Sequence, residues 1–211
     1  MRIPLAKEGY PFILISAAVT AVSCFWGGWL PLIILGPLTF FVVYFFRDPE
    51  RIIPEGDDLI VSPADGRIIK VETAREEQFL KDETLKISIF MNVFNVHVNR
   101  APAKAKVIDT FYNPGKFFNA SFDKASLLNE RNLLLMENEK GKKFVVVQIA
   151  GLIARRIVSY AKPGSNYGKG ERFGIIRFGS RLDVYLPTEC KAEVSIGQKV
   201  SAGSTILAKW R

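Results

Sequence analysis

The strongest constraint on this chain is an uncharged stretch near its start. Residues 9–46 contain no Asp, Glu, Lys or Arg and are rich in Ile, Leu, Val and Phe, a composition typical of membrane segments. A single helix of that length would span about 57 Å, well beyond a hydrocarbon core of about 30 Å. Four residues would also interrupt such a helix: Gly27, Gly28, Pro31 and Pro37. The sequence therefore predicts a membrane-associated helical hairpin over residues 1–48.

The two arms of this hairpin, residues 11–26 and 29–46, are at the lower limit for crossing a bilayer. Both a transmembrane and a shallow re-entrant hairpin stay open. The apolar stretch returns through a second arm, which argues against a cleaved signal peptide. Positive residues flank both ends of the hairpin: Arg2, Lys7, Arg47 and Arg51. We therefore expect both termini on the cytoplasmic side of the cell membrane.

The remaining residues, 49–211, have the length of one catalytic domain. Short runs rich in Val, Ile and Phe alternate with turn residues, which predicts a mainly β (α+β) domain. Residues 62–71 and 193–207 are similar in style and indicate barrel-sandwich-like elements, and residues 123–131 show helical spacing. The predicted strands are residues 59–61, 67–71, 85–90, 104–111, 132–137, 143–149, 156–161, 174–178, 181–185, 192–195 and 205–208.

The chain is basic, with a formal net charge of +8. Arg2, Lys7 and Glu8 contribute +1 of this, which leaves +7 on the predicted β domain. An anionic lipid surface explains this charge more simply than nucleic acid does, because no nucleic-acid motif is present. Cys24 and Cys190 have no metal-site spacing, so we predict no metal and a reducing compartment.

The chain has a single histidine, His97, so any chemistry that requires an imidazole must use it. Asn95, His97 and Asn99 alternate with valines, and in a strand these three polar side chains would share one face. A lone histidine is more often structural than catalytic. Its polar neighbours favour a functional role here.

A Gly179-Ser180 pair lies between two strand-like runs, where local sequence alone predicts an ordinary turn. A serine hydrolase elbow would require glycine two residues before and two residues after the serine. Phe178 and Leu182 occupy those positions. The pattern of that hydrolase class is therefore absent.

Several ordered motifs together resemble the short bacterial and archaeal type of phosphatidylserine decarboxylase over nearly the full chain. The resemblance is much more specific than any one motif. The matching segments are residues 44–49, 62–66 (Ser-Pro-Ala-Asp-Gly), 92–102 around His97, 113–116, 124–126 with 129–132, 151–158, and 169–187 around Ser180.

The resemblance implies that Ser180 attacks the Gly179 carbonyl and cuts the chain into residues 1–179 and 180–211, which stay together as a heterodimer. Ser180 then becomes a covalent pyruvoyl cofactor, whose ketone accepts the electrons released when phosphatidylserine loses carbon dioxide. Phosphatidylethanolamine is the implied product. Asp65 matches the family's aspartate for self-cleavage. Longer members carry two histidines three residues apart, whereas here Arg100 occupies the second position, so His97 is expected to serve decarboxylation, with a role in cleavage left open.

The phospholipid head group requires cationic and donor groups. A Gly-rich basic loop, residues 162–172, precedes the cleavage site, although a solvated loop explains it equally well. The candidate substrate-binding residues are Arg155, Arg156, Lys169 and Arg181.

Three alternatives stay open at this point. One is a decarboxylase of archaeal-type ether lipids, archaetidylserine, which the sequence does not distinguish. Another is a non-enzymatic membrane-tethered β-domain, and the third is a soluble amino-acid decarboxylase, which would not need the apolar hairpin.

Overall fold

The structure, a computed structural model, describes residues 4–115, 129–151, 156–177 and 179–211. The chain divides into two compact units, Met1–Glu50 and Arg51–Arg211. The first unit is helical, and the second is built from β-strands.

Two apolar helices make up most of the first unit. After a short 3-10 turn, Lys7–Gly9, α1 runs over Tyr10–Gly27 and α2 over Leu30–Phe45. Each helix has a proline in its first turn, where the missing N–H has no intrahelical partner in any case. Gly28 joins them with φ +65°, a left-handed conformation that suits glycine. The predicted apolar helical hairpin is therefore confirmed.

Hydroxyl groups of the helix pair are hydrogen-bonded within this unit, and many apolar side chains are exposed. Pro37, expected to interrupt a helix, lies inside α2, which continues past it. Thr20 Oγ1 donates to the Ser16 carbonyl at 2.8 Å and lies 2.9 Å from Thr39 Oγ1 across the helix pair. Phe25 and Trp26 are each 82% exposed. The continuous helical stretch Lys7–Gly27 has 21 residues and is long and apolar enough to cross a membrane, whereas α2 is shorter.

The second unit consists mainly of antiparallel strands. In the described residues they are, in chain order, β1 (Leu59–Val61), β2 (Gly66–Glu76), β3 (Asp82–Met91), β4 (Val98–Arg100), β5 (Ala105–Asn113), β6 (Arg131–Asn138), β7 (Lys143–Ala150), β8 (Ile157–Ser159), β9 (Asn166–Tyr167), β10 (Arg172–Ile176), β11 (Ser180–Pro187), β12 (Lys191–Ala192), β13 (Lys199–Val200) and β14 (Ile206–Lys209).

A central sheet of eight strands has the order β13-β2-β3-β11-β7-β6-β5-β9. Two three-stranded sheets accompany it, with orders β1-β14-β12 and β4-β10-β8. Strand β11 lies between β3 and β7, and its first residue, Ser180, pairs with Met91 on one side and Ala150 on the other. The candidate cleavage site is therefore at one end of an interior strand.

Side-chain alternation gives the central sheet two faces. The inner face packs into a core shared by all three sheets, and this core includes Ile89, Leu182, Val184, Phe173 and Leu207. The outer face carries a separate apolar cluster that includes Leu133, Leu135, Val145, Val147 and Ile149.

The predicted mainly β fold is confirmed. Strand β1 coincides with the predicted residues 59–61, and β7 extends the predicted residues 143–149 by one. The two-residue strands β9 and β13 are not predicted, because two residues contain no alternation to detect. The helical spacing over residues 123–131 falls largely outside the described residues, and Arg131 begins β6.

Gly66 marks a close approach between two strands. A Cβ atom at this position would lie 2.2 Å from the Phe90 carbonyl oxygen and 3.0 Å from Ile89 Cγ2. No side chain fits there unless the backbone of β3 moves. Because Gly66 follows Asp65 directly, this packing also fixes where Asp65 lies.

We predict that Gly66→Ala lowers the free energy of unfolding by about 1–3 kcal/mol, the usual range for overpacking. Gly168→Ala is the matched control, because its Cβ would lie 3.6 Å from the nearest atom, Glu171 Oε2. That control should change stability by less than about 0.5 kcal/mol. Thermal unfolding in detergent measures both variants, and equal melting temperatures would contradict the packing argument.

Candidate active site

Ser180 is fully buried at the start of β11. Its side chain lies on the inner face of the central sheet, as those of Leu182 and Val184 do, because residues two apart in a strand share a face. In the described part of the chain, Ser180 Oγ has no hydrogen-bond partner. A buried hydroxyl without a partner is costly and uncommon, and it therefore points to a functional role.

Gly179 connects this serine to the only histidine. It has φ +67°, and a Cβ atom at this position would have no neighbour within 4 Å among the described residues, so the backbone conformation rather than crowding favours glycine here. The Gly179 N–H donates to His97 Nε2 at 3.2 Å. His97 Nδ1 lies 2.9 Å from the Asn95 carbonyl oxygen, which can accept but not donate. These two partners fit a neutral imidazole that carries its proton on Nδ1.

A short turn holds His97 in this position. The Asn95 side chain accepts from the Asn92 N–H at 2.9 Å, and the Asn92 side chain accepts from the Phe94 N–H at 2.9 Å. Beyond the turn, the His97 carbonyl accepts from the Ile176 N–H at 3.3 Å. Asn95 therefore lies in a turn, and β4 begins one residue after His97. The strand face expected for Asn95, His97 and Asn99 does not extend back to Asn95.

Asp65 lies at the same end of the central sheet as Ser180. It precedes β2, which is two strands from β11, so the strand axes are roughly 10 Å apart. Both Asp65 oxygens accept from Arg51 Nη2, at 2.9 and 2.8 Å, and Oδ1 also accepts from the Ala202 N–H at 2.7 Å. In the described residues Asp65 is hydrogen-bonded to neither His97 nor Ser180.

Arg100 is buried, and two of its hydrogen bonds go to backbone carbonyl groups. Its Nη1 donates to the Gly170 carbonyl at 3.0 Å, and its N–H donates to the Pro63 carbonyl at 2.9 Å. Lys169, in the same Gly-rich loop, donates to the Gly56 carbonyl. The loop is thus tied to its surroundings by backbone contacts.

The other predicted substrate-binding residues occupy different environments. Arg155 lies outside the described residues. Arg156 is exposed, and its carbonyl accepts from the Arg177 N–H at 3.2 Å, which brings it near the segment that leads to Gly179. Arg181 is fully buried and lies on the outer face, opposite Ser180.

Arg181 forms a buried ion pair on that outer face. Its Nε and Nη2 atoms donate to the two carboxylate oxygens of Asp183 at 2.6 and 2.7 Å, and Nη2 also donates to Ser88 Oγ at 3.1 Å. Lys86 Nζ lies 4.0 Å from the same carboxylate. The pKa of the neighbouring Tyr185 is raised, mainly by burial and to a smaller extent by the Asp183 charge. The substrate-binding role of Arg181 stays a prediction.

The inner face near Ser180 carries a row of carboxamides. Asn132 Nδ2 donates to Gln148 Oε1 at 2.9 Å, and Gln148 Nε2 donates to Asn99 Oδ1 at 2.8 Å. Gln148 is not among the candidates from sequence, although a single polar residue inside the apolar run of β7 is a signal that could have identified it. Next to this row, burial and the Glu130 carboxylate raise the pKa of Tyr112.

Comparison with known proteins decides the family. A sequence model of the family described as phosphatidylserine decarboxylase matches residues 38–208. Proteins named phosphatidylserine decarboxylase proenzyme from Syntrophotalea carbinolica and Aromatoleum aromaticum are 50% and 51% identical, each over 97% of this chain and 95% of their own length. The protein of that name from Desulfotalea psychrophila is 48% identical over 99% of this chain and 97% of its own.

The chain belongs to the phosphatidylserine decarboxylase family. This finding confirms the resemblance drawn from the ordered motifs and the expectation that the chain is an enzyme, and it sets aside the non-enzymatic tethered β-domain. The family match begins at residue 38 and includes Asp65, His97, Gly179 and Ser180. The similarity to the three relatives covers nearly all of this chain, so it extends into the apolar helices.

We predict that Arg181→Met lowers the free energy of unfolding by about 3–5 kcal/mol, because it leaves Asp183 buried without its bidentate partner. The matched control is the double variant Arg181→Met with Asp183→Leu, which removes both charges and should recover most of that loss. Thermal unfolding measures both. A single variant that keeps full stability but binds phosphatidylserine poorly would instead assign Arg181 to the substrate.

Proposed function

We propose that this chain decarboxylates phosphatidylserine to phosphatidylethanolamine, using a pyruvoyl group that it forms by cutting itself between Gly179 and Ser180. The observation that carries the proposal is the buried, unpartnered Oγ of Ser180 directly after a left-handed glycine whose N–H is bound by the only histidine. Family membership supports the reaction class, and this geometry supports the choice of the Gly179–Ser180 bond as the one that is cut.

Self-cleavage requires the Ser180 hydroxyl to attack the Gly179 carbonyl. The Oγ loses its proton to a base, a C–O bond forms, and the C–N bond breaks as the amine takes up a proton, which gives an ester. Loss of the Ser180 Cα proton then breaks the Cβ–O bond and releases Gly179 as a carboxylate. Water replaces the nitrogen of the resulting dehydroalanine and releases ammonia, so that a ketone forms at the new N-terminus.

The position of Ser180 fits such a group. A small uncharged ketone needs no ionic partner, and Ser180 is buried between Met91 and Ala150 with no charged side chain paired to its Oγ in the described residues. Once formed, the pyruvoyl group would supply the electron sink for loss of carbon dioxide. The neighbouring strands would hold this end of β11 in register.

His97 is our candidate for proton delivery in decarboxylation. In the uncut chain its Nε2 accepts from the Gly179 N–H, so this atom faces the peptide and not the serine hydroxyl. Cleavage turns Gly179 into a chain end that can withdraw, which would free Nε2 to carry a proton. Asp65 remains our candidate for self-cleavage, as base or as orienter of a base, and it would have to exchange its Arg51 contacts to act as the base.

The two products of cleavage should stay together as a heterodimer. Residues 180–211 contain β11 between β3 and β7, β14 beside β1, and β13 beside β2. Each of these pairings joins the short chain to the long one. We therefore expect the chains to separate only under denaturing conditions.

We also propose that the apolar helices attach the enzyme to the cell membrane with its catalytic domain on the cytoplasmic side. Lys7–Gly27 has the length and composition of a membrane span, and exposed Phe25 and Trp26 suit a lipid environment. The positive residues that flank the hairpin support the cytoplasmic orientation. The lipid substrate is itself a component of that membrane.

We predict that the purified protein has two chains, residues 1–179 and 180–211, that co-purify without denaturant. Intact-mass spectrometry should find the shorter chain with a blocked N-terminus, which borohydride reduces in the presence of an amine. Ser180→Ala is the control and should stay at full length without activity, because it lacks the attacking oxygen. A wild-type protein of one uncut chain that still decarboxylates phosphatidylserine would refute the proposal.

We predict that His97→Ala still cuts itself but loses decarboxylation by about 10²–10⁴-fold, the usual contribution of a general acid. His97→Gln is the matched control, because its side-chain oxygen can still accept from the Gly179 N–H yet cannot transfer a proton. It should cut normally and be equally inactive. Normal activity in either variant would contradict the assignment of His97.

A further inference from the structure

Asn99 Nδ2 is a buried hydrogen-bond donor that lacks a partner in the described residues. Asn99 is fully buried in β4, and its other side-chain atom, Oδ1, accepts from Gln148. An unpaired donor at this depth is destabilising unless something else occupies it. The donor therefore indicates a place where an acceptor binds.

The carboxamide row has one direction. Asn132 donates to Gln148, and Gln148 donates to Asn99, so each amide in turn presents its N–H₂ group to the next. The row begins at Asn132, which is buried but 7% exposed, and ends at Asn99 Nδ2, which has no partner in the described part of the chain. Because hydrogen bonds in series polarise one another, the last donor should be the strongest.

This donor is connected to Ser180 through Gln148 and strand β11. Gln148 pairs with Leu182, two residues along β11 from Ser180 and on the same face. Asn99 is two residues from His97, whose ring contacts Gly179. The segment 97–99 thus crosses over the segment 179–182, with His97 at Gly179 and Asn99 at Gln148. Two residues of strand span about 7 Å, so the β11 position paired with Gln148 is one pleat from Ser180, on the side away from Gly179, and Asn99 contacts Gln148 from the facing sheet.

From that position, the Asn99 donor is better placed to bind the substrate carboxylate than to bind the carbonyl oxygen of Gly179. The carboxylate of a serine head group is attached to the carbon that bears the amine, so it would lie within a few bonds of the Ser180-derived group. A neutral amide is also a suitable donor for a carboxylate that must lose its charge. A full cation would stabilise the ground state and add to the barrier, because only differential binding accelerates a reaction.

We propose that Asn99 Nδ2 binds the carboxylate of the substrate head group, and that Gln148 and Asn132 are positioning residues that fix the direction of this donor. The inference rests on the proposed function. It identifies a carboxylate-binding site in which the donor is a neutral amide.

Asn99→Asp tests the donor directly, since it keeps the shape and still accepts from Gln148 but offers the carboxylate an oxygen. In mixed micelles of phosphatidylserine, kcat/KM should fall by at least about 10- to 100-fold, the loss expected for a hydrogen bond to a charged group. Inhibition by phosphatidylethanolamine, which lacks the carboxylate, should be unchanged. Self-cleavage, followed by intact mass, should also be unchanged and shows that the variant folds.

Two substitutions at Gln148 test the direction of the row. Gln148→Glu accepts from both neighbours, so Asn99 must turn its Nδ2 toward the glutamate and present Oδ1 to the substrate. Gln148→Met breaks the row but leaves Asn99 able to donate. We expect KM for phosphatidylserine to rise further in the glutamate variant than in the methionine variant. A role in packing alone predicts equal shifts for phosphatidylserine and phosphatidylethanolamine.

The outcomes separate this inference from the proposed function. A wild-type protein that neither cuts itself nor decarboxylates defeats the proposed function. A normal wild type, with cleaved Asn99 and Gln148 variants that keep wild-type KM and kcat, overturns the carboxylate site alone. Loss of self-cleavage in Asn99→Asp but not in Gln148→Met, which keeps the Asn99 donor, would assign this donor to the Gly179 oxyanion instead, and this too would overturn the proposal.

Discussion

The position of β11 between β3 and β7 determines most of what the active site can do. Pairing on both sides fixes the register, so that Ser180 lies opposite Met91 and Ala150 and is fully buried. The same register sends alternate side chains to opposite faces. The serine therefore shares the inner face with the carboxamide row, while Arg181 and Asp183 form their ion pair on the outer face. A shift of one residue would exchange these environments.

The two faces of the central sheet carry different buried polar groups. On the outer face, Arg181 and Asp183 bind each other through two hydrogen bonds, which compensates much of the cost of burying their charges. On the inner face, the described structure leaves the Ser180 hydroxyl and one Asn99 donor without partners. Unsatisfied groups at such depth reduce stability. Both of these groups lie on the inner face, the face on which we propose that the chemistry takes place.

Sequence patterns predicted the parts of this protein that depend on local periodicity. The uncharged stretch identified the helical pair, and alternation located strands such as β1 and β7. The start of strand β4 was not delimited, because the alternation of polar residues and valines extends back to Asn95, which lies in a side-chain-capped turn before the strand. The partners of Asp65 depend on contacts between distant segments, as its hydrogen bond from Ala202 shows. Such contacts leave no periodic signal in the chain.

On the proposed function, the chain is first a substrate of its own chemistry and then an enzyme, and its single histidine must be compatible with both reactions. Its Nδ1 proton is committed to the Asn95 carbonyl, so Nε2 is the atom available for transfer. In the uncut chain the Gly179 N–H occupies that atom. Because the bond that must break is the next peptide along, cleavage itself would remove the group that occupies Nε2. On the proposed function, the hydrogen bond from the Gly179 N–H to His97 Nε2 would then set the order of self-cleavage and decarboxylation. A single histidine would be sufficient for this order.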